Sequence, residues 1–566
     1  MITEARAAVR TRQEVWLGAG ALYLGLALLM MARFLLHPDA TTSAHTAHTD
    51  QPWFEWLLQH GALSLRDLSN PLFTTRLNAP DGVNMIANTS VLGVTLPMAP
   101  LTLLWGPRVT YVIWQVGAVV ATASTTCWVL RRHLRVTPAA AIVAGAFAGF
   151  APGVVAHANG QPNYTSHFLL PLIVAAVFCG GTGVRRGVQL GLLVAYQVFI
   201  NEEMLVITAL ACGLAAMLSR RILDVGFLRK LGVAAAVTLV ITAYPIWFQF
   251  FGPGSFHAVP AYATWGEDAL GYVTYWRDSL GHGFGPQKAL YTTDLYSMYG
   301  VPLTVLAVLL AVLLWRHSRT TRVVVPVMAV FAVLSLGPSL RVGGEPIGPG
   351  PMALLGLDFW PFSMMMPSRM SFVVTAGVVI LLALGWDRLV KGGRRHHVLI
   401  LAALIPLIPT PLPAKDRPLP PEFIRSQAWR QYVPAGTTLV AFPLPYIVVG
   451  EDSYTWATWP GADFAVPEGY FLGPGRNGDA TAGPAVLSET RVLVDKVFTT
   501  GVVPTVTDEM RTAARADLQR WHASAVVVRA TPQYERMREL ATGLLGPPQR
   551  VLDVWVWPIS QELGGG

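Results

Sequence analysis

Long apolar runs, each closed off by a short polar loop, fill most of the first 411 positions, and a different pattern takes over after them. The runs lie at about 16–36, 109–130, 138–157, 166–182, 187–201, 204–218, 229–250, 300–315, 323–338, 369–388 and 397–411. A helix needs roughly 17 to 25 mostly apolar residues to cross a bilayer, and shorter ones fit where they are re-entrant or packed inside a bundle. The pattern therefore predicts about 11 transmembrane helices over residues 1–411. Beyond the Pro-rich linker "PTPLPAKDRPLPPEF" the chain reads as a small soluble domain, 412–566. There the β-type runs "TTLVAFPLP", "SAVVVRA" and "VLDVWVWPI" alternate with the helical patterns "DEMRTAARADLQRWHA" and "PQYERMRELATGLLG", which predicts an α/β fold. The expected class is a polytopic α-helical membrane protein carrying a C-terminal α/β domain.

Basic residues give the spans a direction, because Lys and Arg are retained on the cytoplasmic side of short loops. Arg6, Arg10 and Arg12 put the N-terminus inside. Arg131, Arg132 and Arg135, then Arg185 and Arg186, then Arg220, Arg221, Arg229 and Lys230, then Arg316, Arg319 and Arg322, and finally Arg388, Lys391, Arg394 and Arg395 mark every second loop. The alternation decides two ambiguous stretches. Counting the Pro-broken "VLGVTLPMAPLTLLWG" as a span would send "RRHLR" outside, so it is read as a buried or re-entrant part of the first outer loop, 37–108. The stretch 187–218 has basic clusters beyond both ends and "NEE" at its centre, so two short helices meeting at the outer face are expected. The tail then falls on the extracytoplasmic side of a plasma membrane.

Composition agrees, with 53% hydrophobic and 13% charged residues among 566, too apolar for a soluble globular chain. The net charge of +8 sits in loop clusters rather than along one amphipathic face, which argues for topology and against nucleic acid. Cys127, Cys179 and Cys212 all lie in apolar runs, leaving no disulfide framework and no Cys-based zinc site outside them. The first apolar run is long enough to span and lacks a small-residue cleavage site, so an uncleaved helix is expected. No Walker loop or nucleotide fingerprint occurs.

The unusual chemistry concentrates on the outer side. In "HTAHTDQPWFEWLLQH", Asp50 and Gln51 precede a helical pattern whose Trp53, Trp56, Leu57 and His60 suit a helix lying flat in the membrane interface. Asp50 is open to two readings, a reactive carboxylate or an N-cap of that helix. His45 and His48 lack a visible third ligand, so a metal site there is disfavoured. Glu202 and Glu203, between two membrane helices, need water, a partner or an ion. "AHANGQPNYTSHF" sets His157, Asn159, Gln161, Asn163, Tyr164 and His167 at a helix mouth, where amides and hydroxyls suit either a polyhydroxylated ligand or an ordinary exposed turn. Arg369 in "MMMPSRMSF" offers a planar permanent cation to a phosphate or to lipid headgroups. Tyr262, Trp265, Tyr272, Tyr275 and Trp276 with Glu267, Asp268 and Arg277 fit a sugar platform or an interfacial aromatic belt. Asp67 and Asp81 are further carboxylates of the first loop, the latter in a turn-like "APDG".

Together, the first helix, the large outer loop with an early acidic residue, the many short spans and the outer tail resemble the GT-C superfamily of polyprenyl-phosphate-sugar-dependent glycosyltransferases. The wording "DQPWFEWLLQH", followed by "NPLFTTRLNAPDG", is similar to the first-loop stretch of bacterial membrane proteins placed near that superfamily, as is the "PSRM" entry to a late helix. The resemblance covers roughly 1–411. It implies a hexosyl- or pentosyltransferase that inverts configuration and acts outside the membrane. The donor is a polyprenyl-phosphate-linked sugar and the acceptor a cell-envelope glycan or glycolipid, with Asp50 as general base. It further implies Arg369 at the lipid phosphate, Glu202 or Glu203 as a second acid orienting the acceptor or holding a divalent cation (Mg, Mn or Ca), and sugar or acceptor contacts from Gln51, Trp53, His157, Asn159, Gln161 and Trp265. Gln51 stands where several members carry a second acid, which leaves a metal requirement open. A flippase of lipid-linked sugars and a non-catalytic envelope assembly protein are the alternatives. The first would show deep charges and inverted repeats, neither of which is evident.

Overall fold

The computed structural model describes residues 2–44, 50–89, 91–259, 264–284, 296–390, 395–446 and 450–559. The chain divides into two compact units. The first comprises Met1–Leu36, Val112–Ala243 and Val259–Ala414, and the second His37–Tyr111, Tyr244–Ala258 and Lys415–Gly566. The change of composition near 412 thus lies close to the chain's last crossing between units, while the loop 37–108 groups with the tail.

The helices that matter below are α1 (Ile2–Met30), α2 (Gln51–Arg66), α3 (Ala99–Val129), α4 (Pro138–Phe150), α5 (Val184–Val198), α6 (Glu202–Leu218), α7 (Val225–Phe251), α8 (Gly300–Trp315), α9 (Arg319–Ser335) and α10 (Ser371–Val390). Among the described residues four stretches are long and apolar enough to cross a membrane: Ala99–Leu134, Pro138–His157, Val225–Phe251 and Pro367–Leu389. Val15–Met30, Gly300–Trp315 and His397–Leu407 are shorter apolar helices.

In the first unit α10 is the hub, packed by α4, α8 and α9. The Tyr23 hydroxyl of α1 donates to the Ile142 carbonyl of α4 at 3.0 Å. The stretch 187–218 is two helices, as its polar centre predicts. Asn201 adopts an extended backbone, and its side chain accepts the Met204 N–H at 3.0 Å, which ends one helix and starts the next. Near the start of α7, Lys230 donates through Nζ to the carbonyls of Ala176 and Val177, at 3.0 and 2.6 Å. Those carbonyls end the helix Leu170–Phe178, where a cation satisfies orphan acceptors.

In the second unit a four-stranded sheet runs in the order β3-β4-β2-β1, with β1 (Thr438–Ala441), β2 (Ala523–Arg529), β3 (Gln549–Val551) and β4 (Val554–Pro558). β2 pairs parallel with β1 and antiparallel with β4. Helices α11 (Glu489–Thr500), α12 (Asp508–Arg520) and α13 (Glu535–Leu545) bury Val494, Leu518 and Leu540 against Val440, Val526 and Val528, so the α/β elements form where the tail's periodicities place them. The first loop is bonded to the tail through its backbone: the Val466 N–H donates to Arg76 O at 2.9 Å and the Asn78 N–H to Glu468 O at 2.8 Å. Two glycines serve close geometry here. A Cβ on Gly61 of α2 would come within 2.8 Å of Thr95, and Gly106, at φ +80°, breaks α3 just before Pro107.

Candidate active site

Helix α2 starts at Asp50, and the reason is visible locally. Asp50 O accepts the Phe54 N–H at 3.0 Å and Pro52 occupies the first turn, where its missing N–H costs nothing. The Asp50 side chain makes no capping hydrogen bond, which removes the capping reading. Its Oδ1 accepts the hydroxyl proton of Tyr470 at 3.0 Å, and the edge of the Tyr470 ring meets Trp53 at a centroid distance of 6.3 Å. Tail and first loop together therefore orient this carboxylate.

The rest of α2 departs from the expected interfacial helix. Trp53, Trp56 and Leu57 are buried within the protein, as are the polar Gln51, Glu55, Gln59 and His60. The physical reason is a partner that sequence spacing does not show. Glu55, fully buried, receives Arg417 in a fork, Nη1 to Oε2 at 2.7 Å and Nη2 to Oε1 at 3.0 Å, so the helix can bury its charged face. Gln51 completes that side: its amide nitrogen donates to Glu55 Oε1 at 2.9 Å and its oxygen accepts the Ser43 N–H at 3.0 Å. The opposite face stacks. Trp53 lies parallel to Trp56 at 5.8 Å and Trp56 parallel to His60 at 5.3 Å. Burial lowers the His60 imidazole to a pKa of about 4, so at neutral pH it is uncharged, with Nε2 3.1 Å from the Pro71 carbonyl.

The first unit holds a second constellation. Glu203 Oε2 accepts the Tyr164 hydroxyl at 2.6 Å and an Nη1 hydrogen of Arg369, and Oε1 accepts the Met366 N–H at 2.8 Å. The Arg369 guanidinium also lies 4.0 Å from the centre of the Tyr164 ring. Of the residues singled out in the sequence, Glu203, Arg369 and Tyr164 come together here. His157 joins them through its ring, 4.7 Å from Tyr164 and stacked at 4.0 Å on Tyr296. Asn159 donates to Asp278 at 3.3 Å. Glu202 begins α6, half-buried, and Gln161 precedes the short 3₁₀ turn Pro162–Tyr164. Trp265 is 38% exposed, and its carbonyl accepts the N–H of Ser368, the residue before Arg369, at 3.1 Å.

The acids of the long loop have structural partners. Glu267 is wholly buried and accepts the N–H groups of Tyr296 and Ser297 at 2.7 and 3.0 Å and the Ser297 hydroxyl at 3.0 Å. Burial outweighs those bonds and raises its pKa to about 7. Asp268 accepts the Leu270, Gly343 and Gly344 N–H groups at 2.8, 3.1 and 2.7 Å. In the second unit Asp67 pairs with Arg66 and Asp81 with Arg520, each at 2.6 Å and exposed. His45, His48 and Tyr262 lie outside the described residues. Among the described residues no group of three or more His, Cys, Asp or Glu could hold a metal ion. Asp50 belongs to the second unit, whereas Glu202, Glu203 and Arg369 belong to the first.

Sequence reasoning missed Glu55 with Arg417, which pair across 362 residues of chain, and Tyr470, which reaches Asp50 across 420. It also missed Arg108, a lone cation inside an apolar run, which is itself a signal.

No family model matches the chain, nor does any curated protein. Solved structures do. Arabinofuranosyltransferase AftD from Mycobacteria aligns over 91% of this chain and 35% of its own, at 17% identity and a TM-score of 0.54. A mutant form of AftD aligns over 90% and 36%, at 15% identity and a TM-score of 0.55. The oligosaccharyltransferase of Archaeoglobus fulgidus, in the apo form, aligns over 93% and 71%, at 12% identity and a TM-score of 0.47. The chain thus spans about a third of the length of the mycobacterial protein, and at these identities the likeness is one of fold.

Proposed function

We propose that this membrane protein, whose fold is that of the GT-C superfamily, is a glycosyltransferase. It moves a hexosyl or pentosyl group from a polyprenyl-phosphate donor to a hydroxyl of a cell-envelope glycan or glycolipid. In this reading the acceptor oxygen attacks the anomeric carbon, its proton passes to Asp50, configuration inverts, and the lipid phosphate leaves with the bonding electron pair. Phosphate is already a fair leaving group, so a positioned base, orientation of the two substrates and a nearby cation suffice.

The observation that carries the reading is Asp50 itself. It is a carboxylate at the start of a buried helix that caps no backbone N–H and is oriented by the Tyr470 hydroxyl. A residue kept only to stop a helix would cap it. Arg369, at the start of the span Pro367–Leu389, is the candidate partner of the lipid phosphate, with Glu203 setting its orientation. His157, Asn159, Gln161 and Trp265 are candidate sugar or acceptor contacts, and Glu202 a candidate second acid. The alternation of basic loops supports about 11 spans, a cytoplasmic N-terminus and extracytoplasmic placement of the first loop and tail.

The test is turnover of polyprenyl-phosphate sugars by the full chain in lipid nanodiscs. Asp50→Asn is expected to lower kcat by about 100-fold or more while the melting temperature stays within about a degree of the parent. Full activity in that variant would sink the role of Asp50, and lipid-linked sugar crossing vesicles without turnover would favour a flippase.

A further inference from the structure

Between the end of α9 at Ser335 and the span that opens at Pro367, the first unit makes a loop that turns its large apolar side chains outward. Ile347, Leu354, Leu355, Phe359 and Trp360 are exposed, from 55% at Phe359 to 72% at Leu354. From Pro346 to Ser368 the sole charged residue is Asp358. An apolar cluster of this kind marks a surface that something else covers.

The loop is ordered by its own bonds. Ser339–Val342 and Glu345–Pro349 form an antiparallel hairpin, and the Asp268 carboxylate accepts the turn amides of Gly343 and Gly344 at 3.1 and 2.7 Å. The Gly350 N–H donates to Pro338 O at 2.7 Å, the Leu357 N–H to Met352 O at 2.9 Å and the Ser363 N–H to Phe359 O at 3.1 Å. Phe359 meets Phe362 edge to face at 5.5 Å, and Met352 is buried in the unit. The backbone thus fixes a shape that, in water, would forfeit the burial that drives folding.

Position identifies the cover. The loop joins two apolar helices, and its side chains are as open as the outward face of α8, where Val305, Val308, Leu309 and Val312 run from 50% to 71% exposed. Arg316, Arg319 and Arg322 lie at the opposite end of α9, and Arg388 near the opposite end of α10, so the loop is at the membrane face that lacks basic residues. Trp360 is an aromatic of the kind that settles at headgroup depth. A protein partner would bring a polar rim around its apolar centre, and Asp358 is the only charge here to meet one.

We propose that the loop 346–362 is a membrane anchor, with Ile347, Leu354, Leu355, Phe359 and Trp360 seated among the headgroups and upper acyl chains of the outer leaflet. The anchor goes beyond the glycosyltransferase reading and shares with it only the placement in a membrane. Met366, whose N–H donates to Glu203, follows closely in the chain. An anchored loop therefore holds the Glu203 and Arg369 cluster near the bilayer surface, where a lipid-borne substrate arrives.

The experiment asks which residues touch acyl chains. The full chain is placed, one copy per disc, in nanodiscs of phosphatidylcholine, part of it carrying a diazirine on the acyl chain; after irradiation and digestion, adducts are mapped by mass spectrometry. Peptides from 346–362 are expected to carry adducts at a yield comparable to those of α8, with peptides of the polar helix α12 giving the background. Leu355→Asp together with Trp360→Asp, both at exposed positions, is expected to lower the yield on the loop about fivefold or more and to leave that on α8 unchanged. A loop at background beside a labelled α8 overturns the anchor, and so does an unchanged yield in the double variant. Cross-links joining the loops of two chains in larger discs, with lipid adducts confined to α8, overturn it in favour of a second copy as the cover. Background on α8 as well sinks the membrane placement and the anchor with it. Adducts on the loop of a chain that transfers no sugar uphold the anchor and sink the glycosyltransferase reading alone.

Discussion

Each unit of this protein pairs an arginine with a glutamate, and the two pairs differ in burial, Glu203 keeping partial access to solvent and Glu55 none. In the first, Glu203 collects a tyrosine hydroxyl, a backbone N–H and an Arg369 nitrogen on its two oxygens. In the second, Glu55 is consumed by Arg417 and Gln51, while Arg108 and Tyr454 keep donors without partners among the described residues. A buried ion pair closed off from water depends on its partner more than one that water can reach.

Substitutions at the two glutamates should expose the contrast most strongly. Glu55→Ala leaves Arg417 buried without its counter-charge and should cost about 3–5 kcal/mol, read as a fall in melting temperature of the detergent-solubilised chain. Glu203→Ala should fall nearer the lower end, because Glu203 is 13% exposed where Glu55 is closed off. Equal losses would erase the distinction. The pair Glu55→Leu with Arg417→Met should recover most of the stability lost by Glu55→Ala, since a buried ion pair is often replaceable by apolar groups.

Acid and base should then act on the units in opposite directions. His60, in the second, has its folded pKa lowered from 6.5 to about 4. Between those values the unfolded chain binds a proton that the folded chain does not, so stability falls as pH drops from about 6.5 toward 4. Glu267, in the first, is raised from 4.5 to about 7. There the folded chain holds the extra proton, and stability falls as pH rises from about 4.5 to 7. Melting curves across that range should lose their acid-side slope in His60→Leu and their rising-pH slope in Glu267→Gln. Unchanged slopes in both would refute the assignments.

Smaller effects test the finer joints. Gln51→Leu strands the Ser43 N–H and one lone pair of Glu55, and should cost about 1–3 kcal/mol. Asp81→Ala removes an exposed contact to Arg520, both partners more than half exposed, and should change stability by no more than about 1 kcal/mol. A large effect there would mean that the first loop leans on the tail through that pair rather than through its backbone bonds.

Much of the architecture was readable from local patterns. The broken helix at "NEE", the strands at "TLVA" and "AVVV" and the tail helices follow from apolar period, a cap residue and turn chemistry, because each is decided by residues a few positions apart. Arg369 and Glu203 were each visible as a charge beside an apolar run, although their pairing was not. Helix α2 shows the limit. Its spacing of tryptophans suits a membrane surface, yet it is buried, because Arg417 arrives from 362 residues away to neutralise Glu55.

The sequence by itself thus determined where the chain breaks between the helices 184–198 and 202–218 and where the tail's strands and helices lie, and it marked long apolar helices of the length a membrane requires. It also determined that Asp50 opens a helix in the first loop. Only the tertiary structure decided what Asp50 does there. Its carboxylate turns from the helix to Tyr470, 420 residues on, and the same helix buries Glu55 against Arg417 from the tail. Periodicity records the environment of a backbone position, while the balance of donors and acceptors in a buried cluster depends on which distant segments fold against it.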